Sequence, residues 1–235
     1  ISSVITGEKE GIQNQSLRAS YAAVVENASA KELKAAEKGF RSITWSEAII
    51  KNIDESQLGA VKTLVSGMFL TLESQVNLSK LLIMDTAYSS IFYMENKKQE
   101  SVSVTTFTAS QSLRHLLDTV RQSQQPGYDM IDFNGVLLYV MVDMLYNDND
   151  ELIGYVVIGK HPRDIMRSAS DALGVFVALK CIGTENDCYY TTHADVIEPV
   201  ADKLMDKSAK KDFFFFPIGE KTYKASVLNA EDKTG

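Results

Sequence analysis

Apolar residues recur along this chain with two different periods, and the period changes from one segment to the next. Between residues 54 and 76, Leu58, Val61, Val65, Met68, Leu72 and Val76 follow one another at steps of three and four. That spacing predicts a helix with one apolar stripe, close to the a and d seam of a coiled coil. The first 38 residues carry a looser stripe, Ile5, Ile12, Leu17, Tyr21, Val24 and Ala28, which predicts another long helix stopped by Gly39. A short helix is expected within "FRSITWSEAIIKN" (40–52), capped by Thr44 or Ser46, with Trp45 as a packing anchor.

The period then shortens. "LLIMDTAYSSIFYMEN" (81–96) reads as strand with a bend at "DTAYSS", and "SVSVTT" (101–106) alternates. "SQSLRHLLDTVRQSQQPG" (110–127) returns to a helix, with Leu113, Leu116, Leu117 and Val120 on one face and Pro126-Gly127 past its end. "YDMIDFNGVLLYVMVDMLY" and "ELIGYVVIGKH" predict three strands, separated by the turn signals "FNG" and "NDND". A shorter set of elements follows. "PRDIMRSASDAL" (162–173) is a helix with Pro in its first turn, and "GVFVALKC" and "DCYYTTH" are strands. "ADVIEPVADKLMDK" (194–207) is a helix that Pro199 kinks or opens, and "DFFFFPIGEKTYKASVLNAED" holds two strands around "IGEK".

The net charge of the 235 residues is −7, and lysine and arginine are not clustered, which argues against a nucleic-acid partner. With 45% hydrophobic residues the chain can bury a core, yet no apolar run approaches the roughly 20 residues of a membrane-spanning helix. The ends, "ISSVITGEKEG" and "LNAEDKTG", read as cuts through a longer protein. His115, His161 and His193 are scattered, and no metal site or cofactor is expected. No nucleophile elbow, phosphate loop, dinucleotide loop or zinc-protease helix is visible, so no catalytic residue is expected and the chain reads as a non-enzyme. A hydrolase reading would have to use Asp143 and Asp129.

The order of elements resembles the double Cache extracytoplasmic sensor domains of bacterial receptors. The residues that carry the likeness are "NLSKLLIMD" (77–85), "DNDELIGYVVIGKHPRDIM" (148–166) and "DALGVFVALKC" (171–181). The resemblance implies an α+β fold with long N-terminal helices (1–76), a membrane-distal, ligand-binding PAS-like module (77–161) and a smaller membrane-proximal PAS-like module (162–235). It implies a periplasmic domain anchored by flanking membrane segments, homodimeric through its long helices. Such a domain binds a small molecule and signals inward, in a methyl-accepting chemotaxis receptor first, or in a histidine kinase or diguanylate cyclase. The amino-acid-binding pattern ends the distal module's last strand on Asp; here that strand ends "VVIGKH", which argues against an amino-acid ligand.

Strand alternation supplies the candidate site. Tyr139, Met141 and Asp143 share one face, while Leu138, Val140, Val142 and Met144 share another that is wholly apolar. Asp143 is either a solvated strand residue or part of a pocket with Tyr139, Met141 and Tyr155. In the pocket reading Arg114, on the helix covering the sheet, faces the carboxylate, and Tyr128 stands at the rim. A ligand there would be a metabolite with a carboxylate or an amine.

The two cysteines flank "IGTEND" and are either reduced thiols beside a turn or partners across a hairpin. The expected outcome is a Cys181–Cys188 disulfide in oxidised protein. Denaturation without reductant should then leave no reactive thiol, and titration of two thiols would refute the pairing.

Overall fold

Seven successive residues, Leu78–Met84, are all buried, and they form strand β1 near the centre of an antiparallel five-stranded sheet. A strand buried at every position needs both faces of its sheet covered, because its side chains alternate between them. The computed structural model describes residues 16, 19–20, 23–24, 27–28, 30–32, 34–96, 110–133, 137–174, 176, 178–180, 189–192, 214–218 and 221–225. The sheet comprises β1, β2 (Ser90–Glu95), β3 (Gly127–Asp132), β4 (Leu137–Tyr146) and β5 (Leu152–Lys160), in the order β2-β1-β5-β4-β3. The chain divides into two compact units. One consists of Lys31–Asp164 with Lys180–Cys188, and the other of Ile1–Ala30, Ile165–Leu179 and Tyr189–Gly235.

In the first unit, helical residues 34–44 (α1), α2 (Glu47–Asp54) and α3 (Leu58–Val76) cover one sheet face. Phe40, Ile43, Ile49, Val61, Val65, Phe69 and Leu72 pack there with Leu81, Ile83, Phe92, Met94, Met141, Leu145, Val156 and Ile158. Helix α4 (Gln111–Ser123) covers the opposite face. Its Leu113, Leu116, Leu117 and Val120 meet Leu82, Met84, Leu138, Val140, Val142, Met144 and Val157. Each of those four helical side chains contributes roughly 1.5–3 kcal/mol on full burial. The boundary expected at residues 76 and 77 falls inside this unit, because α1–α3 pack Phe40, Ile49, Val61, Val65, Phe69 and Leu72 on the sheet; Leu58 of the expected stripe is exposed.

Helix ends follow their local chemistry. Ser46 Oγ accepts from the Ile49 N–H and Ser110 Oγ from the Leu113 N–H, each capping an N-terminus. Two sequence expectations fail. The chain stays helical through Gly39, where a Cβ would lie 2.2 Å from Leu72 Cδ2, so this glycine permits close approach of α1 and α3 and is not a stop. Trp45 is 70% exposed and is no packing anchor; the Arg41 guanidinium lies 5.3 Å from its ring centroid.

The second unit carries most of α5 (Pro162–Leu173) and the strand β7 (Tyr189–Thr191), which pairs with β6 (Ala178–Lys180). It also holds the hairpin β8 (Phe214–Ile218) and β9 (Lys221–Ala225), in register from Phe214–Ala225 to Ile218–Lys221. The expected strand at 101–106, the helix at 194–207 and both cysteines lie outside the described residues.

Gly154 is a point where the sheet tolerates no side chain. A Cβ there would lie 2.3 Å from the carbonyl oxygen of Met84 on the paired strand β1. Backbone in a ladder cannot yield as a side chain can, so Gly154→Ala should cost about 1–3 kcal/mol or more. A drop in the urea midpoint at unchanged slope checks this; an unaltered midpoint would contradict it.

Candidate functional site

The sheet separates the residues that strand alternation had grouped. Asp143 pairs with Val156, and Met144 with Tyr155, so Asp143 and Tyr155 project from opposite faces. Tyr139, Met141 and Asp143 lie on the side of α1–α3, and Met141 is part of that core. Tyr155 lies on the α4 side. Arg114 is exposed on α4, across the sheet from Asp143, and Tyr128 is 63% exposed on the edge strand β3. The expected six-residue pocket is therefore not assembled. Asp143 is half-buried, its Oδ1 accepting from the Met144 N–H at 2.8 Å. Burial raises its pKa, while that hydrogen bond and the Arg41 charge pull it back.

The polar groups gather on the same sheet face as α4, at its two ends. At one end Lys80 and Glu95, opposed on β1 and β2, are both buried. Lys80 Nζ lies 3.4 Å from Glu95 Oε2, donates to the Phe133 carbonyl at 3.2 Å and sits 4.8 Å from the Phe133 ring centroid. The Tyr93 hydroxyl donates to Glu95 Oε2 at 2.6 Å, and its ring stacks on Phe133. Burial and the Glu95 hydrogen bond push the Tyr93 hydroxyl pKa upward.

At the other end the turn between β1 and β2 is tied by Asp85, whose Oδ1 accepts from the N–H groups of Ala87 and Ser89. That wrap leaves Tyr88 at φ 64, in the left-handed region that few bulky residues adopt. The Tyr88 hydroxyl donates to Asp118 Oδ1 on α4 at 2.6 Å. Its ring meets Tyr155 edge-on, with centroids 5.4 Å apart. Tyr155 is fully buried, and its hydroxyl makes no hydrogen bond of normal geometry, although the Tyr88 hydroxyl is near enough to influence its ionisation. A buried polar group without a partner costs about 1–3 kcal/mol, so a phenol in place of phenylalanine calls for a reason other than packing.

Lys80, Glu95, Tyr93, Tyr88 and Asp118 were not among the candidate residues that the sequence singled out. The available signal was a lysine and a glutamate inside the apolar runs "SKLLIM" and "IFYMEN". Among the described residues no group of three or more His, Cys, Asp or Glu could hold a metal, and no helix is long and apolar enough to cross a membrane.

No protein-family model and no curated protein matches the sequence. Solved structures match the fold. The extracellular domain of a protein assigned as the histidine kinase vpHK1S-Z8 overlaps with a TM-score of 0.51 at 9% identity, over 87% of this chain and 83% of that one. The Vibrio cholerae LuxQ periplasmic domain overlaps with a TM-score of 0.50 at 9% identity, over 89% of this chain and 98% of that one. The ligand-binding domain of the Campylobacter jejuni chemoreceptor Tlp3, solved with L-norvaline, gives 0.44 at 8% identity, over 89% and 86%. The chain has the α+β fold of extracytoplasmic sensor domains, with helices on an antiparallel five-stranded sheet.

The position of Asp143 predicts a pH effect on stability. Its folded pKa is raised, so the folded state holds the proton more tightly than the unfolded chain does. The stability this contributes is present below the ordinary carboxylate range and is lost as pH rises through the folded pKa. Asp143→Asn should therefore be more stable than wild type at pH 7, with the gap closing as pH falls below about 4. Urea unfolding across that range reads the sign. A less stable Asn variant at pH 7 would mean that Arg41 outweighs the cost of burial.

Proposed function

We propose that this chain is the extracytoplasmic, periplasmic ligand-sensing domain of a bacterial transmembrane signalling receptor of the double Cache type, serving chemotaxis. In this reading residues 77–161 form the membrane-distal ligand-binding module, with α1–α3 packed on its back. Residues 162–235 form the membrane-proximal module. Flanking segments anchor the domain, and the N-terminal helices pair two copies. Chemoreceptors and sensor kinases use such domains in the same way, and the cytoplasmic output decides between them.

One observation carries the reading. The face beneath α4 holds a buried ion pair and a buried, unbonded phenol, in a fold shared with sensor domains. Strands β1 and β5 contribute side chains to both cores, Leu81 and Ile83 to one and Leu82 and Met84 to the other. A molecule that moves residues under α4 therefore moves the surface on which α1–α3 rest.

A thermal-shift screen of small metabolites tests this. A ligand should raise the melting temperature of wild type and of Asp143→Ala and Arg114→Ala alike. It should lose about tenfold or more in affinity in Tyr155→Phe or Glu95→Gln, the loss expected for one buried hydrogen bond. Binding abolished by Asp143→Ala alone would put the site on the helical face instead. A screen without any stabilising compound would count against ligand sensing.

A further inference from the structure

The β1–β2 turn closes over Tyr155 as a plug. Tyr88 is the residue that does it, held at φ 64 with its ring against Tyr155 and its hydroxyl engaged by Asp118. Met84 and Met144 lie beside Tyr155 on the paired strands, and Leu152 packs on the same core. The nearby Tyr146 hydroxyl is spent on Met144 Sδ at 3.2 Å. Asp118 and Arg121, of opposite charge, stand exposed on α4 where the plug meets solvent. The depth of this place thus offers one neutral hydrogen-bonding group in apolar surroundings, and its mouth carries charges that cancel.

Resting on the ligand-sensing reading, we propose that Tyr155 is the anchor of a site for a small uncharged molecule bearing a hydroxyl or carbonyl group, opened when Tyr88 swings off its ring. The geometry sets the class. A charged group at the depth of Tyr155 would lose its water, and the two charges that reach it, Arg121 and Asp118, are of opposite sign and oppose one another. A carbonyl accepts from the Tyr155 hydroxyl, and a hydroxyl either accepts from it or donates to it. The space Tyr88 vacates is about one aromatic ring, which limits the size. Departure of the Tyr88 hydroxyl also frees the Asp118 carboxylate to accept from a second hydroxyl.

The test has two arms on the chain as it stands. Without ligand, Tyr155→Phe should melt higher than wild type, by about 2–4 °C, because it removes an unbonded buried hydroxyl. A lower melting temperature would show that the hydroxyl is structurally bonded, and would overturn the proposal. In the second arm, glycerol, cyclohexanol and γ-butyrolactone are the neutral probes, against acetate, methylammonium and L-alanine. At least one neutral probe should stabilise wild type, bind Tyr155→Phe about tenfold more weakly, and bind Tyr88→Gly more tightly, since glycine keeps the positive φ and removes the plug. Equal binding to Tyr155→Phe, or no neutral probe bound at millimolar concentration, overturns the site. Stabilisation by a charged probe alone, sensitive to Glu95→Gln, overturns the neutral class while leaving ligand sensing in place.

Discussion

Burial of β1 and β5 on both faces is the constraint on which this unit rests. Of the nine residues of β5, the last seven are buried, as are all seven of β1. Side chains that alternate along such strands must fill two separate cores. The covering elements are then fixed in kind: an amphipathic helix for the α4 face, and three helices for the other. A one-residue slip of β4 against β5 would exchange Asp143 and Met144 between the cores, so the register is held by every apolar contact at once.

Two ion pairs lie within this arrangement, one on each face; Lys80 and Glu95 are both buried, whereas Lys160 is buried and its partner Glu32 half-buried. Lys160, at the end of β5, reaches Glu32 at 2.5 Å beside the helices, and Lys80 meets Glu95 on the other face, against Phe133. Desolvating such pairs offsets much of their attraction, so neither is strong evidence for stability. Each does define an alignment. Breaking either by a strand shift would leave a charge inside an apolar core, a cost of several kcal/mol. The Lys80 ammonium is further held by a carbonyl and an aromatic face, which fixes where the β3 end lies relative to β1.

Most elements of this unit were legible in the sequence. The a/d-like stripe marked α3, the Leu113, Leu116, Leu117 and Val120 face marked α4, and the "NDND" tip marked the β4–β5 turn. There Asn147 Oδ1 accepts from the N–H groups of Asn149 and Glu151. The face of Asp143 was not legible. Alternation sorts residues into two sets but carries no information on which helix covers which set. The helix bearing Arg114, α4, is strongly amphipathic and covers the wholly apolar face. Arg114 points outward on it. The site groups were hidden for a related reason. Lys80 and Glu95 are 15 positions apart, and only the β1–β2 register brings them together. Tyr88 looked like an ordinary bend residue. Its role comes from the positive φ that the Asp85 turn imposes.

The same two-sided sheet explains how an event under α4 reaches the helices without a flexible link. Helix α3 ends at Val76 and β1 begins at Leu78, with Asn77 alone between them. Asn77 sits at φ 53 with its N–H bonded to the Glu73 carbonyl, so it is part of the helix cap and leaves no slack. A displacement of β1 is therefore a displacement of the C-terminal end of α3. Close-packed cores do not absorb small shifts gradually; they repack between discrete arrangements. Lys80 stands at one polar end of the α4 face and Met84 is paired with Tyr155 at the other, and both belong to β1, the strand joined directly to α3.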